Sequence, residues 1–65
     1  MTGKPVSVRR YPHERRHNLP AGRQALIERA KQEAREAGVA FDDDLLQVVY
    51  DPDERQLVIT LFGSD

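Results

Sequence analysis

The sequence predicts an α+β fold: one helix packed on a C-terminal antiparallel β-hairpin, with a weaker N-terminal strand that would give a βαββ order. Three observations carry this. An apolar stripe of helical period runs through residues 19–37. Two segments rich in β-branched and aromatic side chains, LLQVVY (45–50) and LVITLF (57–62), flank a proline-containing connector. Of 18 Val, Leu, Ile, Phe and Tyr side chains, 12 lie between Val39 and Phe62, so the hairpin must supply most of the core.

Residues 4–11 (KPVSVRRY) hold only Val6 and Val8 at strand spacing. Pro5 confines such a strand to its start or to a sheet edge, and Pro12 ends it. Residues 12–20 are bracketed by prolines and nearly free of apolar side chains, which reads as a loop or one short helical turn. The helix follows. Asn18 is a suitable N-cap, and Pro20 is acceptable in the first turn. Leu26, Ala30, Ala34 and Ala37 recur at helical spacing, with Leu19, Gly22 and Ile27 beside them. Most of that stripe is alanine, so the helix should lie close to whatever it covers. Glu28, Arg29, Lys31, Gln32, Glu33, Arg35 and Glu36 fill the solvent face. Gly38 suits a left-handed C-terminal cap, with Val39 placed to fold back. In the hairpin connector, residues 51–56, Pro52 fits the second position of a type I turn.

Period-two alternation divides the hairpin into two faces. Leu46, Val48, Tyr50, Leu57, Ile59 and Leu61 form one. Leu45, Gln47, Val49, Val58, Thr60 and Phe62 form the other. One helix covers one face only. The second is still largely apolar, and an antiparallel sheet with a wet face should alternate more cleanly. Leu45, Val49, Val58, Thr60 and Phe62 are therefore the candidate partner interface.

At 65 residues with no Cys, the chain holds one small domain without disulfide support. Such a domain buries only ~60% of its unfolded surface, which favours oligomers. No apolar run reaches membrane-spanning length, so a membrane role is not expected. The absence of Cys and of a secretory-type apolar stretch points to the cytoplasm.

The net charge of −1 conceals segregation. Residues 1–23 carry +5, residues 24–37 carry 0, and residues 38–65 carry −6. This divides the chain into a basic arm, residues 1–18, and a single α+β domain, residues 19–65. Arg9, Arg10, Arg15, Arg16 and Arg23, with Tyr11 among them, could serve nucleic acid, because Arg forks onto phosphate and Tyr stacks on bases. No helix-turn-helix, zinc module or RNA-recognition string accompanies them. The ordinary alternative is mutual attraction between the basic and acidic ends of one small protein.

His13-Glu14-Arg15-Arg16-His17 matches H-E-x-x-H, which on a rigid helix offers two imidazoles to zinc and a carboxylate as base. Here prolines bracket the string closely, both x positions are Arg, and no third ligand is fixed by spacing. His13 and His17 are thus weak metal candidates, and the match is read as accidental. Asp42-Asp43-Asp44 lacks calcium-loop spacing. The expectation is a non-enzymatic interaction or regulatory module without a cofactor. It would self-associate through the hairpin or bind a protein partner. The alternative is a nucleic-acid-binding protein that uses the arginine arm.

Overall fold

The computed structural model describes residues 3–63. Its elements run β1 (Lys4–Pro12), a 3₁₀ turn (Arg15–Asn18), α1 (Pro20–Glu36), β2 (Leu46–Asp51) and β3 (Gln56–Gly63). The three strands form one antiparallel sheet in the order β1-β3-β2. The fold is α+β in a βαββ order, with a C-terminal hairpin.

Strand β3 is central and alternates most cleanly. Leu57, Ile59 and Leu61 are fully buried beneath α1, while Val58, Thr60 and Phe62 face the other way. Across β2, Leu46 pairs with Leu61, Val48 with Ile59 and Tyr50 with Leu57, which is the division of faces that alternation predicts. Across β1, Tyr11 pairs with Leu57 and Arg9 with Ile59, and a bulge falls between Pro5 and Ser7.

Ala30 and Ala34 are wholly buried, so α1 sits low on the sheet as its alanine stripe predicts. The helix ends in a Schellman motif. The Val39 N–H donates to the Ala34 carbonyl at 2.9 Å and the Gly38 N–H to the Arg35 carbonyl at 3.0 Å. Gly38 has φ +77°, a conformation that costs glycine little.

Local expectations change at several positions, beginning with Leu19 and Ala37 of the expected stripe, which are both exposed. The helix N-cap is Leu19, extended at φ −96° and ψ 144°, rather than Asn18. Pro20 holds the first helical position, and the residue before a proline is driven out of the helical region. Asn18 instead closes the 3₁₀ turn, its Oδ1 lying 3.3 Å from His13 Nε2. Lys31, expected on the solvent face, is only 9% exposed. Its Nζ donates to the Asp43 carbonyl at 3.2 Å and lies 3.5 Å from the Asp43 carboxylate.

In the hairpin turn, the Asp51 carboxylate accepts the Asp53 and Glu54 N–H groups at 3.0 and 3.3 Å. Arg55 takes the left-handed conformation, φ 54°, where the chain re-enters β3. Its carbonyl accepts the His13 N–H at 3.0 Å, tying the turn to the exit of β1.

Candidate interaction surfaces

Because α1 covers one side of the sheet, the other side is open. It is built in rows set by strand register: Val8, Thr60 and Gln47 in one, Arg10, Val58 and Val49 in the next. At one end Leu45 accepts the Phe62 N–H and continues the surface beside Phe62. Val8, Val49 and Leu45 on the flanks are 55%, 46% and 40% exposed, far above the core residues of the opposite face. Val58, Thr60 and Phe62 are half-buried because neighbouring strands flank β3 on both sides. All five candidate interface residues, Leu45, Val49, Val58, Thr60 and Phe62, therefore share one surface. Val8 of β1 extends it, a residue that the hairpin pattern alone does not include. At the turn end, Arg10 and Asp51 reach toward each other across β3 and pair at 3.3 Å.

The arginine candidates do not form one surface. Arg9 and Arg10 are adjacent on a strand and point to opposite faces. Arg15, Arg16 and Arg23 gather at the corner between the 3₁₀ turn and α1 and are exposed. Arg23 Nε donates to the His17 carbonyl at 3.2 Å, and Arg16 pairs with Glu14 at 3.2 Å.

Tyr11 is a core residue, 7% exposed. Its hydroxyl donates to the Glu33 carboxylate, and the Arg29 guanidinium lies 5.3 Å from its ring centre. Burial, then the hydrogen bond to Glu33, then the negative charge of that carboxylate push the phenol up to about 12. The same hydrogen bond, with Arg29, holds Glu33 below its ordinary value. The phenol is thus favoured in its neutral form in the folded state. Its contribution is complete below pH 10.0, the ordinary tyrosine value, and is lost as the pH rises toward about 12. Tyr11→Phe should lower the unfolding free energy at neutral pH by about 1 kcal/mol for the lost hydrogen bond, and the urea midpoint with it. The difference from the unaltered protein should shrink above pH 10.0. Denaturation curves of both proteins from neutral to strongly alkaline pH check this.

The H-E-x-x-H residues lie on the 3₁₀ turn and its approach, not on an α-helix. The Glu14 N–H donates to His17 Nδ1 at 3.1 Å, and the His17 N–H donates to the Glu14 carbonyl at 2.9 Å, so the two residues close the turn on each other. The two imidazoles meet edge to face at 6.0 Å, and His17 is buried. Both Glu14 and His17 are thus engaged in closing the turn. Among the described residues no group of three His, Cys, Asp or Glu is placed to hold a metal ion. His13 also packs edge-on against Tyr50 at 5.0 Å, beside a groove of about 380 Å³ lined by Asn18, Arg23 and Leu57.

Among the described residues no helix is long and apolar enough to cross a membrane. No family model matches the chain, and no curated protein or solved structure matches it. The fold and its surfaces define a small α+β module with one covered and one uncovered sheet face.

Proposed function

We propose that the protein is a non-enzymatic interaction module that self-associates by stacking the open sheet face on that of a second copy. The observation that carries this reading is the apolar row structure of that face, with Val8, Leu45 and Val49 exposed on either side of Val58 and Phe62. Charge argues for a second copy as the occupant. On this face β1 presents Arg10 and β2 presents Asp51, which lie across β3 from each other within one copy. A two-fold axis parallel to the strands sets β1 of one copy over β2 of the other, so Arg10 of each copy meets Asp51 of the other, twice. Aligned sheets at ~10 Å spacing allow the side chains to interdigitate.

The footprint sets the strength. Three strands of about six rows cover roughly 14 × 20 Å. That is well below the ~800 Å² per partner of a standard interface. A micromolar or weaker dimer follows, read by sedimentation velocity from micromolar to millimolar protein. A chain that remains monomeric throughout that range overturns the reading.

The corner formed by Arg15, Arg16 and Arg23 favours a second reading, in which it grips a nucleic-acid backbone. That reading expects anisotropy of labelled duplex or single-stranded oligonucleotides to show binding that falls steeply with salt and is lost when these three residues become Ala. Absence of binding at low salt removes it.

A further inference from the structure

The two edges of the sheet are unlike. The Phe62 N–H donates to the Leu45 carbonyl, which sets the phase of the β2–β3 ladder. In an antiparallel pair the residues that bond across the ladder alternate with those that point away. Gln47, Val49 and Asp51 therefore bond toward β3, while the N–H and C=O groups of Leu46, Val48 and Tyr50 point outward. On β3 the same phase turns Leu57, Ile59 and Leu61 toward β1, so Tyr11, Arg9 and Ser7 bond inward. Pro5 and Pro12 then fall at outward-facing positions of β1, and a bulge follows Pro5. Two prolines and a bulge blunt an edge against further pairing. Strand β2 has neither, and its outward groups have no hydrogen-bond partner among the described residues.

We infer that the β2 edge takes up an extended, cationic segment of a partner polypeptide as a fourth strand, independently of the face-to-face pairing above. Main-chain bonds to Leu46, Val48 and Tyr50 supply the affinity. On the helix side these residues are only partly covered, Tyr50 being 47% exposed, so they accept apolar side chains at alternate positions. Charge selects the rest of the segment. Carboxylates bound the strand at both ends, and Asp42, Asp44, Asp53 and Glu54 make no ion pair among the described residues. A second copy pairing β2 to β2 would bring Asp44 of one chain near Asp51 and Asp53 of the other. A lysine- or arginine-bearing strand meets the same carboxylates favourably.

The probe is a fluorescent, acetylated and amidated octapeptide alternating valine and lysine. Saturable binding is expected, weakened at least tenfold when glutamate replaces lysine. N-methylation of one alternating set of peptide amides should abolish binding, and methylation of the other set should leave it. Val48→Pro removes an outward N–H without touching the ladder to β3, and should also weaken binding at least tenfold while the circular dichroism is retained. If that variant does not fold, the N-methylated peptides decide the matter on the unaltered protein. Absence of saturable binding, equal binding of the glutamate peptide, or indifference to both methylation patterns overturns the inference. So does a Val48→Pro protein that binds the peptide fully but no longer self-associates, which would give the edge to a second copy.

Discussion

Val49→Glu is expected to abolish self-association while leaving the fold intact. Val49 lies on the uncovered side of β2, 46% exposed and opposite Val58. In the monomer the new carboxylate stays in water, so the folding cost should be within ~1 kcal/mol, as for ordinary surface changes. In the stacked dimer each copy buries one such charge in an apolar layer, and the effective penalty is several kcal/mol per ion. The two-fold axis makes this penalty fall twice. The dissociation constant should rise by at least ~100-fold, which for a weak dimer means a monomer at every accessible concentration. Sedimentation velocity beside a urea titration separates the two effects. Val58→Glu and Phe62→Glu should act in the same direction, at a higher folding cost because both residues are half-buried on the central strand. A Val49→Glu protein that folds and associates as before would show that the open face is not the contact.

Gly22→Ala should destabilise the protein, against the usual sign. Alanine within a helix is favoured over glycine by ~0.5–1 kcal/mol. At Gly22, however, an added Cβ would overlap the Arg16 carbonyl, with the rest of the Arg16 backbone immediately behind it. Main chain yields less readily than the end of a flexible side chain, so the 3₁₀ turn must move away from α1. Overpacking of this kind costs ~1–3 kcal/mol, and the clash is with backbone, so the upper part of that range is expected. For a domain of this size that lowers Tm by roughly 10 °C or more. Thermal unfolding of the two proteins reads it directly. An unchanged or raised Tm would show that the corner relaxes freely. The corner also carries Arg15, Arg16 and Arg23, so any oligonucleotide binding should weaken with the same substitution.

The parts of this protein legible from sequence are those that local periodicity encodes. The stripe through Leu26, Ala30 and Ala34 specifies a helix that packs closely. Gly38 marks its end, and the alternation through residues 45–50 and 57–62 specifies which hairpin side chains share a face. Alternation groups Leu45 with Val49 on one strand and Val58 with Thr60 and Phe62 on the other, and the strand register sets the two groups on one face. Residues 4–11, with two valines among arginines, carry too little apolar signal to show how closely they join the sheet. Their pairing depends on main-chain bonds to β3 and on Tyr11, whose burial is a tertiary fact.

Tertiary structure alone decided three things. It placed β3 rather than β2 at the centre of the sheet, and so left β2 as the unblunted edge. It carried Lys31 from the solvent face to the Asp43 carbonyl, and it engaged Glu14 and His17 in closing a 3₁₀ turn. Each of these depends on contacts between residues distant in sequence, or on how neighbouring elements compete for the same backbone groups. The period of apolar residues records which way a side chain faces, and it holds no record of what stands opposite.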